Sequence, residues 1–131
     1  MSRSQFIMLT LAAVVAGATL GALTAPASKK DMRRGQVSRE LVVFETADCV
    51  YCRLFRRDVL PEYRNSGRSS ELPIRFVDVN DAGPLESALS GPLTIVPTAV
   101  LLIDGREAGR ITGYTGQASF QQIIGRMLAA N

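Results

Sequence analysis

Two cysteines, spaced as Cys-x-x-Cys, are the residues of this chain best suited to chemistry. Cys49 and Cys52 lie where an apolar run ends and a helix-like pattern begins. If a helix begins at about Cys49, its unpaired first-turn N–H groups and its dipole favour the Cys49 thiolate relative to a free thiol, whose pKa is about 8.5. Cys52, one turn further in, is expected to be more buried and less acidic. An exposed attacking thiolate with a resolving thiol beside it is what thiol–disulfide exchange requires.

The absence of histidine from the chain excludes several other uses of these cysteines. Cys-His proteases, Ser-His hydrolases and His-ligated metal sites within one chain all need that residue. Attachment of a c-type haem needs histidine directly after the motif, where this chain has Arg53. Two thiolates are too few for a tetrahedral zinc site, unless two chains share the metal. A structural disulfide, a redox disulfide and no chemistry at all therefore remain open.

The charge of the chain is mild and does not indicate a nucleic-acid surface. The formal net charge of +3 is spread along the 131 residues rather than concentrated in one segment. Basic residues do not alternate with aromatic residues as they do in proteins that bind RNA or single-stranded DNA. We expect a solvated protein surface and no nucleic-acid partner.

Residues 1–27 have the pattern of an export signal. Arg3 supplies a short positive region, Phe6 to Leu23 is an uncharged apolar run, and Ala25-Pro26-Ala27 offers a signal-peptidase site. We predict export to the periplasm or another exterior compartment, with cleavage after Ala27. The alternative is a retained membrane anchor, since roughly 18 apolar residues are the lower limit for spanning a bilayer. In an anchor, the basic residues that follow would favour a cytoplasmic domain; they are Lys29, Lys30, Arg33 and Arg34.

The rest of the chain alternates between strand-like and helix-like patterns. Residues 28–39 are polar and basic and predict a linker. Pro61 is expected to kink the first helix or to end its first segment, and Asp104-Gly105 predicts a hairpin turn between two antiparallel strands. The predicted strands are 40–46, 74–79, 98–103 and 107–112, and the predicted helices are 50–65, 85–89 and 118–130, with a loop at 66–70.

The predicted order is β-α-β-α-β-β-α, which indicates an α/β fold. A helical crossover joins the first two strands, so they are expected to be parallel, whereas the last two form the antiparallel hairpin. The result is a central four-stranded mixed sheet flanked by helices, formed by residues 40–131 as one domain.

Three stretches of this domain resemble the thioredoxin superfamily in its minimal form. Leu41 to Cys52 resembles the strand that leads into the family's active site, and Phe76 to Asp81 resembles its second-strand motif. Ile95-Val96-Pro97-Thr98, the Asp104-Gly105 hairpin and Gly113 resemble its Ile-Pro-Thr, hairpin and glycine pattern. With the signal-like N-terminus, the similarity is greatest to periplasmic thioredoxin-like proteins, including those of bacterial sulfur-oxidation gene clusters.

The resemblance implies a second half of the site at Pro97. In the family, the matching proline follows a cis peptide bond and lies against the redox pair. A cis Val96–Pro97 bond would turn the backbone groups of Val96 outward, where an extended substrate segment can pair with them. With Val50 and Tyr51, these two residues are the candidate substrate contacts.

The chain departs from the thioredoxin pattern close to the cysteines. Val50-Tyr51 replaces the usual Gly-Pro pair, and Asp48 replaces the preceding tryptophan. Val43 stands in place of the buried acid that assists the resolving cysteine, and Glu45 is a candidate substitute, expected on the opposite face of the strand. These differences bear on the redox potential. The candidate modulators of the site are Glu45, Asp48 and Arg53.

The function expected from the residues and the resemblance together is exported thiol–disulfide exchange. The chain would be a thiol–disulfide oxidoreductase that reduces disulfides of specific periplasmic proteins through Cys49 and Cys52, supplied by a membrane or periplasmic electron donor. It would need no metal and no cofactor besides the redox-active disulfide, and would contact a membrane only through a retained N-terminal segment. The alternatives are a non-catalytic protein-binding or regulatory module on the same scaffold, and two chains sharing a zinc ion.

Overall fold

The computed structural model describes residues 36–131 of the chain. The predicted signal or anchor segment and most of the predicted linker lie outside the described residues. The strands are β1 Arg39–Glu45, β2 Ile74–Asp78, β3 Thr98–Ile103 and β4 Arg106–Thr112, and the α-helices are α1 Val50–Leu54, α2 Leu60–Asn65, α3 Arg68–Glu71 and α4 Gln117–Ala129.

The four strands form one mixed sheet in the order β2-β1-β3-β4. β1 is parallel to β2 and antiparallel to β3, and β3 is antiparallel to β4. The central position of β1 explains its continuous apolar run, because Leu41 to Phe44 are buried on both faces of the sheet. Asp104 and Gly105 both have positive φ, as the predicted two-residue hairpin turn requires. The predicted fold is confirmed.

The helix after the cysteines is continuous but changes its winding before Pro61. α1 runs into a π-helical turn, Phe55–Val59, and then into α2. The N–H of Leu60 bonds to the carbonyl of Phe55, a longer i to i+5 span. A proline ring clashes with the carbonyl four residues before it, and a wider turn relieves such a clash. Pro61 therefore changes the helix locally without ending it.

Two predicted elements differ from the structure. The segment predicted as a loop at 66–70 contains the short helix α3, closed by the Leu72 N–H bond to the Arg68 carbonyl. The helix predicted at 85–89 is instead a 3₁₀ helix, Gly83–Ala88, preceded by a 3₁₀ turn at Val79–Asp81. Both are short segments whose winding depends on neighbouring contacts more than on apolar periodicity.

The sheet has an apolar layer on each face. Leu41 and Val43 point toward the helix that follows the cysteines and toward α4. There the rings of Phe55 and Phe120 pack edge to face, with their centroids 5.0 Å apart. The opposite face packs through Val42, Phe44, Val100 and Leu102 against the 3₁₀ segments, which contribute Ala82 to this layer. Between residues 36 and 131, no helix combines the length and apolarity needed to cross a bilayer.

Candidate active site

Cys49 and Cys52 are joined by a disulfide at the start of α1. Cys49 is the N-cap residue of that helix, with an extended backbone conformation. Its Sγ accepts a hydrogen bond from the N–H of Cys52 at 3.0 Å. The Cys49 sulfur therefore occupies the position in which a serine or aspartate oxygen commonly caps a helix.

The two sulfurs differ in exposure, as the sequence pattern predicted. Cys49 is partly exposed, whereas Cys52 is 3% exposed. Phe55 and Val59 follow Cys52 on the buried side of the helix, so the second cysteine faces the protein interior. Cys49 is therefore the more accessible of the two cysteines.

The second half of the predicted site lies directly beside Cys49. Its Sγ is 3.7 Å from the carbonyl oxygen of Val96, a residue 47 positions further along the chain. The Val96–Pro97 peptide bond is cis, and Pro97 is buried while Val96 is partly exposed. The structure thus brings Cys49 together with the Val96-Pro97 segment.

Neighbouring hydrogen bonds hold this segment in place. The N–H of Gly113 donates to the carbonyl of Pro97 at 2.8 Å, and the hydroxyl of Thr98 donates to the carbonyl of Ile95 at 2.6 Å. Gly113 has φ +80°, a conformation that glycine adopts without steric cost. Gly113 therefore supports the Val96-Pro97 segment, here called the proline loop, from the end of β4.

An ion pair between Arg110 and Glu107 binds the backbone of residues 90–92, which precede the proline loop. Arg110 donates to the carboxylate of Glu107 through Nε at 2.5 Å and Nη2 at 2.6 Å. The same guanidinium donates to the carbonyls of Gly91 and Pro92, both at 3.1 Å, and Glu107 accepts the N–H of Ser90 at 2.7 Å. The hydrogen bonds from Arg110 hold the pKa of Glu107 below its ordinary value of 4.5.

Glu45 lies on the same face of β1 as Val43, so the expectation that it would lie on the opposite face is wrong. Residues two apart in a strand share a face. Its carboxylate accepts two hydrogen bonds from Arg56, one of them from Nε at 2.9 Å. The Arg56 guanidinium also lies 3.8 Å from the centre of the Phe76 ring. Val43 is fully buried among apolar side chains.

The remaining predicted site residues lie on the exposed rim of the site. Val50 is 57% exposed and Tyr51 is 59% exposed, although both lie between the two cysteines. Asp48 and Arg53 are also exposed. Among residues 36–131, no hydrogen bond or ion pair links the side chains of Asp48 and Arg53 to the cysteines.

Tyr114 and Asp58 belong to this region and were missed by the sequence analysis. Tyr114 stacks on Tyr51, with ring centroids 6.5 Å apart and planes inclined by 26°. Its hydroxyl donates to Asp58 Oδ2 at 2.9 Å, and this bond is the main reason that the pKa of Tyr114 is raised above 10.0. The only local signal was an aromatic residue directly after Gly113, which is insufficient to place it beside the cysteines.

Within residues 36–131, no three carboxylate or thiol groups gather in a way that could hold a metal ion. The chemistry available at the site is the exchange of the Cys49–Cys52 disulfide with other thiols and disulfides. The fold is a mixed β-sheet flanked by helices, with a Cys-x-x-Cys pair at a helix start and the proline loop beside it. These features define a thiol–disulfide oxidoreductase.

The chain belongs to the thioredoxin-like domain family, whose profile matches residues 27–128. A crystal structure of the periplasmic thioredoxin SoxS from Paracoccus pantotrophus, in reduced form, is 29% identical, with a TM-score of 0.63 over 70% of this chain and 97% of that one. The predicted similarity to periplasmic thioredoxin-like proteins agrees with this neighbour.

More distant structures share the fold. Fasciola hepatica thioredoxin is 22% identical, with a TM-score of 0.53 over 75% of this chain and 88% of that one. The germline-specific thioredoxin Deadhead from Drosophila melanogaster is 18% identical, with a TM-score of 0.56 over 74% and 88% of the two chains. A comparison with curated protein sequences finds no match.

Proposed function

We propose that this protein reduces disulfides of specific partner proteins outside the cytoplasm, with Cys49 as nucleophile and Cys52 as resolving thiol. The observation that carries the proposal is the difference in exposure between the two joined sulfurs, with Cys49 reachable and Cys52 buried. A pair of equally buried cysteines would support a purely structural disulfide instead.

The reaction consists of two balanced exchanges. The Cys49 thiolate attacks one sulfur of the partner disulfide, so a mixed disulfide forms and the other partner sulfur leaves as a thiolate that takes a proton from water. Cys52 then loses its proton and attacks Cys49 Sγ, which releases the second partner thiolate and forms the Cys49–Cys52 disulfide. Two electrons pass from the dithiol to the partner, and a membrane or periplasmic thiol donor returns the protein to its reduced form.

The Val96-Pro97 segment would hold the partner chain during this attack. The Val96 carbonyl lies 3.7 Å from Cys49 Sγ, so an extended peptide that pairs with this backbone brings its own cysteine beside the nucleophile. The exposed side chains of Val50 and Tyr51 border the same sulfur and offer apolar contact area. Asp48 and Arg53, both exposed on this rim, would modulate which partners approach.

A trapping experiment tests the mechanism. In Cys52→Ser the mixed disulfide cannot resolve, so partner proteins should accumulate in a covalent complex that dithiothreitol releases. Cys49→Ser should form no such complex. If neither variant traps a partner and the double serine variant retains the phenotype of the native protein, the protein acts as a non-catalytic docking module.

A measurement of the reduction potential tests the direction of electron flow. A value near that of thioredoxin, about −270 mV, supports a reductase, whereas a value near about −120 mV identifies an oxidant. Equilibration with glutathione buffers of known ratio, followed by mass spectrometry of alkylated protein, would provide this value.

Export is supported by the signal-like pattern of residues 1–27 and by the similarity to a periplasmic thioredoxin. Expression of the full chain followed by N-terminal sequencing of the periplasmic fraction tests it. A mature protein that begins at Ser28 supports cleavage, a full-length chain in the membrane fraction identifies a retained anchor, and a full-length chain in the cytoplasm contradicts export.

A further inference from the structure

Tyr114 touches the redox helix at two separate points. Its ring stacks on Tyr51, the second residue between the cysteines, and its hydroxyl donates to Asp58 at 2.9 Å. Tyr51 and Asp58 lie about two turns apart on nearly the same face of the helix. One side chain from a neighbouring loop therefore spans the beginning of the helix and its π-helical turn.

Asp58 also accepts hydrogen bonds from the preceding residue. Arg57 donates to its carboxylate through Nε at 2.5 Å and Nη2 at 2.8 Å. The hydrogen bonds from Arg57 first, and from Tyr114 second, lower the pKa of Asp58, so the acceptor is ionised at neutral pH. A charged acceptor makes the bond from the Tyr114 hydroxyl stronger than a neutral one would.

Tyr114 is also adjacent to the contact that supports the proline loop. Gly113, the residue before it, donates its N–H to the carbonyl of Pro97 at 2.8 Å. The dipeptide 113–114 therefore contacts both halves of the site, the proline loop through its backbone and the Cys-x-x-Cys helix through a side chain.

The stack matters because Tyr51 is otherwise an exposed side chain. It is 59% exposed, and an exposed side chain loses rotational freedom when a partner protein orders it. A ring that is already held in one orientation loses less on binding. The stack leaves most of the Tyr51 surface open, so it restricts the ring without removing it from contact with a partner.

We propose that Tyr114 is a positioning residue of the redox site, which holds the Tyr51 ring in one orientation beside Cys49, and that Asp58 in turn holds Tyr114. The proposal rests on the proposed function, because it assigns the Tyr51 ring to contact with a partner protein. Tyr114 acts through Tyr51 and takes no part in the exchange of sulfur bonds.

The test compares two probes that release the same chromophore. One is the thionitrobenzoate mixed disulfide of an extended peptide with apolar residues beside its cysteine, and the other is the same mixed disulfide of free cysteine. Tyr114→Leu should lower the rate with the peptide about tenfold, the equivalent of about 1.4 kcal/mol. Its rate with the cysteine probe should stay within about twofold, because only the peptide reaches Tyr51. Tyr114→Phe, which keeps the ring and loses only the bond to Asp58, should lower the peptide rate by less than Tyr114→Leu does.

A double-mutant cycle shows whether Tyr114 acts through Tyr51. In a Tyr51→Leu background, the further change Tyr114→Leu should produce no additional loss with the peptide. Thr115→Ala, an exposed neighbour, is the matched control and should react as the native protein does. Asp58→Ala, on the helix surface, provides a second variant that leaves the ring pair intact, and it should lower only the peptide rate, by less than Tyr114→Leu.

The outcomes separate the inference from the function on which it rests. Equal losses with both probes, additive losses in the cycle, or an unchanged peptide rate in Tyr114→Leu overturn the positioning role while the redox function stands. A native protein that reacts with neither probe overturns the proposed function and the positioning role together. A loss confined to the peptide and absent in the Tyr51→Leu background supports the proposal.

Discussion

The N–H of Cys52 lies 3.0 Å from the sulfur of Cys49 and donates a hydrogen bond to it. Cys49 and Cys52, the proposed nucleophile and resolving thiol, are thus linked by the first turn of one helix, with their Cα atoms 5.2 Å apart. After reduction, this N–H and the start of the helix favour negative charge on the Cys49 sulfur. The same short turn keeps Cys52 within reach of the mixed disulfide.

Selective alkylation should follow from this asymmetry. When the reduced protein meets a limiting amount of iodoacetamide at neutral pH, we expect Cys49 to react at least about tenfold faster than Cys52, because it is exposed and favoured as a thiolate. Peptide mass spectrometry measures the ratio. The urea-unfolded protein is the control, in which the two rates should converge; equal rates in the folded protein would contradict the assignment of the nucleophile.

Val43→Asp should destabilise the protein strongly. Val43 is fully buried against the helix layer, so a carboxyl there loses its hydration and gains no partner in the apolar cluster. We expect a loss of about 3 kcal/mol or more in the free energy of unfolding, measured by urea denaturation. Val43→Thr, of similar shape, is the matched control and should cost less. A variant as stable as the native protein would show that the site accepts a buried acid.

Removal of the Glu107 carboxylate should make the free energy of unfolding less dependent on pH in acid. The folded protein lowers the pKa of Glu107 below 4.5, so its contribution to stability is complete above that pH and disappears as the pH falls through the lower folded value. Glu107→Gln should therefore be less stable than the native protein at neutral pH, and the difference should shrink in acid. Chemical denaturation across this range measures it, and a difference that does not change with pH would contradict the linkage.

Tyr63 should contribute to the loss of folding stability at alkaline pH. Its ring is fully buried, its hydroxyl donates to the Leu72 carbonyl at 2.5 Å, and burial raises its pKa from 10.0 to about 12. The neutral phenol therefore contributes stability below pH 10 that is lost as the pH rises toward 12. Tyr63→Phe should cost about 1 kcal/mol at neutral pH from the lost hydrogen bond. It should also lack the alkaline decline attributable to this residue, which pH-dependent thermal unfolding would detect.

Local chemistry made much of this molecule predictable. The continuous apolar run of β1, the Asp104-Gly105 turn and the position of Cys49 between a strand and a helix depend on residues close together in the chain. The same holds for α4, whose buried Phe120 and Ile124 follow helical spacing. The short α3 and the 3₁₀ segments were less accessible, because few residues set their winding and tertiary contacts decide it.

By itself, the sequence determined the position of the Cys-x-x-Cys pair and the order of the strands along the chain, because each leaves a signal within a few residues. The place of Pro97 beside Cys49 was predicted only through the resemblance to the thioredoxin superfamily. Only the tertiary structure decided which distant groups meet there. Tyr114 reaches Tyr51 and Asp58 across more than 50 positions, and Glu45 meets Arg56 from a different element. Such contacts depend on how the helix and the sheet edge pack together. No local pattern of residues predicts which side chains this packing brings into contact.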